Sequence, residues 1–331
     1  MAEQKRIFSG MQPTGGLHIG NYLGALKTWV RLQDEYDCIF CVVDYHAITV
    51  ELDPTELQDR VERVARGFLA AGVDPQRSAL FVQSAVPEHT ELAWVFNTVT
   101  PTGLLGRMTQ FKEKSKDHLE NINTGLFTYP ILQAADIALY KAEAVPVGED
   151  QAQHLEFARD VVRKFNLRYG QTFAEPQTIL SNAPRVLGLD GERKMSKSLG
   201  NDISLEESAE QVWKKLAGAK TDPARVRRTD AGDPEICNIY SYHRFFSPPE
   251  TLSWVEEGCR SAGIGCVDCK RRLHAHMEEE LAPVRARLGE ISAHPERVRE
   301  LLAAGAERVR PLARATMQEV RERIGVARRE R

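Results

Sequence analysis

Arg6-Ile7-Phe8-Ser9-Gly10-Met11-Gln12-Pro13-Thr14-Gly15-Gly16-Leu17-His18-Ile19-Gly20-Asn21 is the stretch on which the fold turns. Arg6 to Ser9 reads as a short apolar strand that ends at Gly10, and Tyr22 to Leu32 has the pattern of a helix. Between them, glycines let the backbone approach a ligand closely. A phosphate at the helix start would meet free N–H groups and the positive end of the dipole. Taken alone, such glycines also make an ordinary tight turn. Neither the P-loop pattern G-x-x-x-x-G-K-[ST] nor the dinucleotide fingerprint G-x-G-x-x-G occurs here.

Downstream, the same strand-then-helix rhythm continues. Cys38-Ile39-Phe40-Cys41-Val42-Val43 is a continuous apolar run, which marks a strand buried on both faces. Ala79-Leu80-Phe81-Val82 and Val145-Pro146-Val147 are two more. A helix is expected between the second and third runs. Asp53 can cap it, Pro54 suits its first turn, and Glu56 completes a capping box. Leu57, Val61, Val64, Ala65, Phe68 and Leu69 recur at spacings of three and four, and Gly72 fits the end. Alternating elements of this kind imply an α/β fold with a parallel sheet and right-handed crossovers. Ligands then bind beyond the carboxyl ends of the strands. From about residue 187 strand signals fade and helical patterns rich in Arg and Glu take over. The expected division is a sheet domain over 1–186 and a mainly helical region over 187–295. The C-terminal helix over 296–331 would complete the first domain, with Pro311 as a break or kink.

The composition agrees with a well-cored globular chain. Of its 331 residues, 42% are hydrophobic and 27% charged. No apolar run reaches the roughly 18 residues of a membrane span. The first residues lack the apolar stretch of a secretory signal. Six cysteines are too few for a disulfide scaffold of this size, so free thiols and a cytoplasmic location are expected. Net charge is only −3, yet the 296–331 segment carries ten Arg against six Glu, and Arg225-Val226-Arg227-Arg228 is a second basic knot. Both read first as solvated faces. Cys38 and Cys41, within the buried strand, read as core packing.

A second chemical signal lies far from the first. In Lys194-Met195-Ser196-Lys197-Ser198-Leu199-Gly200-Asn201, two lysines three apart alternate with hydroxyls in a Gly-bounded loop. That suits a clamp on a polyphosphate whose charge changes during reaction. The pair His18-Ile19-Gly20-Asn21 and Lys194 to Ser198 resembles the HIGH and KMSKS signatures of class I aminoacyl-tRNA synthetases. The blocks Phe8 to Gly15, Met108 to Lys114, Gln133 to Ile137 and Val145 to Gln151 sharpen the likeness to the bacterial-type tryptophanyl enzymes. The likeness runs from about residue 5 to the C-terminus. Asn21 departs from the last residue of HIGH, as is common in this family.

The resemblance implies a Rossmann-like catalytic domain, a smaller helical anticodon-binding domain, and a reaction. The tryptophan carboxylate attacks the α-phosphorus of ATP, pyrophosphate leaves, and the aminoacyl group passes to the terminal ribose of tRNA(Trp). No protein nucleophile is required, so catalysis is positioning plus charge stabilisation. By the same resemblance, Gln12, Pro13, Thr14, Gly20 and Asn21 hold ATP, with His18 nearby. Gly148, Glu149, Asp150 and Val186 border its ribose and adenine. Lys194, Met195, Ser196, Lys197 and Ser198 also bind ATP, Lys194 and Lys197 with Lys114 follow the leaving pyrophosphate, and Mg²⁺ rides on the phosphates. Lys194, Lys197, Lys114, Gln12 and His18 are the expected catalytic residues. Asp136 is expected to accept the single N–H of the indole. An analogue lacking the group that a buried polar site is built for can be rejected by about 10⁵. Phe8, Gly10, Val43, Val145 and Val147 would form apolar walls, and His46 and Gln151 would meet polar groups of the ligand. Gln133 stands where several relatives have Met, and is read as a pocket-wall residue or a surface polar one. A homodimer is also implied.

Cys237, Cys259, Cys266 and Cys269 are separated by 21, 6 and 2 residues. Four thiols in so short a span suit zinc or an iron–sulfur cluster. A subset of bacterial tryptophanyl enzymes carries a [4Fe–4S] cluster on C-x22-C-x6-C-x2-C, and this chain is one residue short in the first gap. The resemblance therefore implies a structural [4Fe–4S] cluster, with zinc and free thiols as alternatives. Arg225, Arg227 and Arg228 would meet tRNA phosphates. Two rival readings of the whole chain are a tyrosine-specific sister enzyme, which also uses an Asp near this position, and a non-charging RNA-binding paralogue.

Overall fold

The computed structural model describes residues 4–108, 123–148, 152–180 and 186–326. The chain builds β1 (Arg6–Met11), β2 (Asp37–Val42), β3 (Ala79–Val82), β4 (Ala144–Val147) and β5 (Gln177–Leu180). All pair in parallel, in the order β3-β2-β1-β4-β5. The order reverses between β1 and β4, so a crevice opens at their carboxyl ends. Side chains alternate cleanly across the sheet. Ile7, Cys38, Phe40, Val42 and Leu80 enter one core, while Phe8, Ile39, Cys41, Phe81 and Val145 enter the other. Helices cover both faces, which is why β2 reads as an unbroken apolar run.

Helix α1 spans 19–32 and directly follows the Gly-rich loop. Its middle, Tyr22–Leu26, is wound as a π-helix between α-helical ends. Trp29 on α1 stacks on Phe40 at 4.7 Å and meets the edge of Phe68 at 5.0 Å. A short α2 (Asp44–Ala47) follows β2, and α3 (Leu57–Ala71) crosses to β3. α3 begins later than the sequence suggests. The Asp53 carboxylate accepts from the backbone N–H and hydroxyl of Thr55, forming an Asx turn instead of the expected capping box. Its end is as expected, with Gly72 at φ 113°.

The further helices are α4 (Glu88–Asn97), α5 (Thr102–Leu105), α6 (Thr124–Leu139), α7 (Ala152–Tyr169), α8 (Ala209–Gly218), α9 (Asn238–Phe246), α10 (Pro249–Arg260), α11 (Cys266–Ser292) and α12 (Pro295–Ile324). α11 lies along α3, so Leu273, Met277 and Leu281 share one continuous core with Val61, Val64 and Phe68. α12 returns to the sheet and runs against β3, where Ala306, Val309, Ala313 and Met317 pack beneath Phe81. Gly305 makes the approach possible, because a Cβ there would lie 1.9 Å from the Leu80 carbonyl oxygen. Of the break or kink expected at Pro311, the break does not occur, since α12 runs through it. It and Glu307, whose carbonyl loses its partner, are both exposed, so water can take over.

Candidate active site

A cavity of about 530 Å³ occupies the crevice between the ends of β1 and β4. Phe8, Gly10, Val43, Val145 and Val147 supply apolar wall, and His46, Gln133 and Asp136 bring polar groups. Gln12, Thr14, Asn21, Gly148 and Lys194 line its other end. A smaller cavity of about 150 Å³ adjoins it, sharing Gln12, Thr14 and Asn21. Gly15, Gly16 and His18 bound one side of that cavity, and Ser196, Lys197 and Ser198 the other. Two segments almost two hundred positions apart thus enclose one space.

Asp136 sits on α6 and is 1% exposed. Gln83 Nε2 donates to its Oδ1 at 2.7 Å, and His89 Nδ1 meets the same oxygen at 2.7 Å. His46 Nε2 meets Oδ2 at 2.8 Å. Burial alone would raise the carboxyl, but the hydrogen bonds from His46 and His89 hold it well below the usual carboxylate range. A carboxylate offers about four lone-pair sites. Two are filled on Oδ1 and one on Oδ2, so a single acceptor site remains on a cavity-lining residue.

The opposing loop is built around Asn201, which is 5% exposed. Its Oδ1 accepts from the Ser196 backbone N–H at 2.8 Å, and its Nδ2 donates to Asp190 Oδ2 at 2.9 Å. The segment is tied to the first loop by backbone bonds from Ile19 N–H to the Ile203 oxygen and from Leu205 N–H to the Leu17 oxygen, each 2.9 Å. Met195 is buried, and its N–H donates to the Val186 oxygen at 3.1 Å. Gly20 lies against the His18 ring, where a Cβ would stand 2.9 Å from two ring atoms and 3.5 Å from the Met195 Cβ. Burial drives His18 down to about 4 despite the opposing charge of Asp202, and Lys194 adds to the fall. His18 Nδ1 is buried with no partner among the described residues.

Pro13, Gly20, Val186 and Met195 are not among the residues lining either cavity, though each is adjacent in sequence or in contact with one that does. Lys114, Glu149, Asp150 and Gln151 lie outside the described residues. Sequence reasoning passed over Tyr129, Ile137 and Trp29, which also line the large cavity. Tyr129 and Ile137 stand one helical turn either side of Gln133, so the i, i+4 rule applied to α6 would have found them. Gln83 and His89 had no such signal, because nothing in their own segment points to Asp136.

The four cysteines come together in the helical part. Burial, then the neighbouring Cys237, Cys266 and Cys259, pushes the Cys269 thiol up to about 12. Arg225 Nη1 donates to Cys259 Sγ at 3.7 Å, and its Nε is buried without a partner among the described residues. Arg225 also donates to the Ile264 and Arg228 carbonyls. It is therefore half-buried and spent on this loop, whereas Arg227 and Arg228 are exposed. Of the three arginines expected to meet tRNA phosphates, Arg227 and Arg228 are thus the more exposed. Among the described residues, no group of three or more His, Cys, Asp or Glu side chains converges as a metal ion requires. That finding bears alike on zinc and on a [4Fe–4S] cluster, since either needs several thiolates turned toward one centre.

Residues 1–282 match the family model described as tRNA synthetases class I (W and Y). The chain is 51% identical to the tryptophan–tRNA ligase of Deinococcus radiodurans, covering 97% of this chain and 98% of that one. It is 46% identical to the enzyme of the same name from Thermotoga maritima, over 97% and 99%. The tryptophanyl-tRNA synthetase of Campylobacter jejuni, solved with ADP and tryptophan, superposes with a TM-score of 0.86 at 36% identity, over 97% of this chain and 99% of that one. A tyrosyl-tRNA synthetase from Archaeoglobus fulgidus shares the fold at 22% identity and a TM-score of 0.67. With the whole length matched and the two signature loops facing each other across one cleft, the chain belongs to the tryptophanyl-tRNA synthetases of class I.

Proposed function

We infer that this chain is a tryptophan–tRNA ligase, which activates L-tryptophan with ATP and transfers it to tRNA(Trp). Two observations carry the reading: the single acceptor site that the described residues leave on the buried Asp136 carboxylate, which suits a ligand with one donor and disfavours phenylalanine but not tyrosine, and the 51% and 46% identity to tryptophan–tRNA ligases, which favours the indole. An indole has one N–H and no strong acceptor, so it matches that count. Phenylalanine would leave the site unpaired in a dry pocket. The indole would lie between Phe8, Gly10, Val43, Val145 and Val147, with His46, Gln133 and Gln151 near its polar groups. Gln12, Pro13, Thr14, Gly20, Asn21 and His18 would hold ATP, and Gly148, Glu149, Asp150 and Val186 its nucleoside. The tryptophan carboxylate oxygen bonds to the α-phosphorus as the bond to pyrophosphate breaks. Lys194, Lys197 and Lys114 would take up the charge on the leaving group. Mg²⁺ would shield the phosphates when bound. Cytoplasmic residence and a homodimer are the family's habits; among the described residues no helix is long and apolar enough to cross a membrane.

Cys237, Cys259, Cys266 and Cys269 would hold a [4Fe–4S] cluster, as the motif resemblance implies, with Arg225 donating to the Cys259 sulfur. Such a cluster would brace the region expected to meet the anticodon, with no redox step. Arg227 and Arg228 would add phosphate contacts. Charging of a tRNA(Trp) transcript with labelled tryptophan tests the reading. Accumulation of tryptophanyl-tRNA supports it, and activation without charging would favour the non-charging paralogue.

A further inference from the structure

His89 lies against Oδ1 of Asp136. It is 0% exposed, does not line the cavity, and sits on α4, which carries none of the expected site residues. Its Nδ1 meets Asp136 Oδ1 at 2.7 Å, and its Nε2 meets the Tyr140 hydroxyl at 2.8 Å. Because an ionised carboxylate only accepts, Nδ1 must carry a proton. In the neutral ring Nε2 is then bare, and Tyr140 donates to it. The ring is held by Phe81, nearly parallel at 6.0 Å, and by the edge-on ring of Tyr140 at 5.4 Å. Gln83 fills the second site on Oδ1, and its amide is oriented by the Tyr45 N–H bonding to Oε1 at 3.1 Å. Oδ1 is therefore saturated, and the ligand is left with Oδ2 alone.

We propose that His89, oriented by Tyr140, is a positioning residue for amino-acid selection: it occupies Oδ1 of Asp136 so that one defined acceptor site on Oδ2 remains for the ligand N–H. This deepens the tryptophan reading and rests on it. Without His89 the carboxylate gains a second free acceptor site and loses a rotational restraint, which weakens its preference for a single N–H.

The test is ATP–pyrophosphate exchange with tryptophan and with 3-(benzothiophen-3-yl)alanine, which replaces the indole N–H by sulfur at nearly equal shape. Wild type favours tryptophan. His89→Leu is expected to cut that preference by about tenfold or more, the usual worth of a bond to a charged group. The loss falls on kcat/KM for tryptophan, with kcat/KM for the sulfur analogue and KM for ATP little changed. His89→Asn, whose amide can replace the Nδ1 donor, retains the preference. Equal loss with both amino acids, or an unchanged preference, overturns the proposal. Tyr140→Phe removes only the hydroxyl and gives the same ratio even if His89→Leu does not fold; an unchanged ratio there also overturns it. A wild type without preference for the N–H ligand removes the underlying reading of Asp136, and this role with it.

Discussion

Asp136 is a costly residue to bury, and its three donors are what make it affordable to the fold. Replacing it by Ala strips the partner from three buried groups as well as from the ligand. Asp136→Ala is therefore expected to lower kcat/KM for tryptophan in pyrophosphate exchange by at least about tenfold, while ATP binding survives. Equal exchange by mutant and wild type would remove Asp136 from the site. His18 makes a different prediction. Burial lowers its folded value to about 4, below the ordinary 6.5. The unfolded chain then binds the extra proton between those values, so this contribution to stability is complete above about pH 6.5 and is lost as pH falls toward 4. Thermal melts of wild type and His18→Gln at several pH values check this. The stability of wild type relative to the variant should fall across that window; a constant difference contradicts it. At this scale the sequence was informative where a residue touches the ligand cavity, as for Asp136, His46 and Val43. It was silent on His89 and Gln83, whose meaning arises only when α4 and the turn after β3 are folded against α6.

Among the elements, the loop from Lys194 to Asn201 depends on one amide. Asn201→Ala removes the bonds to Ser196 and Asp190 and should cost about 2–3 kcal/mol locally. Exchange turnover should fall, with KM for tryptophan little changed, because the loop borders the smaller cavity and, through Lys194, the end of the large one shared with Gln12 and Thr14. A change confined to KM for tryptophan would contradict that placement. Gly305 serves α12 in the same way. Gly305→Ala drives a methyl into the Leu80 carbonyl and should destabilise the fold by about 1–3 kcal/mol or more in urea unfolding. No shift in the midpoint would mean that α12 does not lie on β3 as described. Strands β1 to β4 were legible because covered strands are apolar throughout. β5 was not, since Gln177 and Leu180 at its ends are exposed and no apolar run marks an edge. At Pro311 the helix continues, with the Glu307 carbonyl that loses its N–H partner exposed to water.

For the whole molecule, the order reversal between β1 and β4 makes the crevice, and the chain returns from the helical region to pack α12 on β3. Signature loops distant in sequence were legible as a pair; their contact through Ile203 and Leu205 was not, because such backbone pairing leaves no side-chain pattern. If the four cysteines hold a cluster, protein purified without air should be brown, with iron and acid-labile sulfide in equal amounts. A colourless protein with intact thiols would leave them as free cysteines. The central claim is that one cleft brings ATP to a pocket that selects an indole. ATP–pyrophosphate exchange measured against each of the standard amino acids tests it most directly. Exchange with tryptophan and none of comparable rate with tyrosine or phenylalanine is the expected result; exchange driven by tyrosine, or by no amino acid at all, would contradict it.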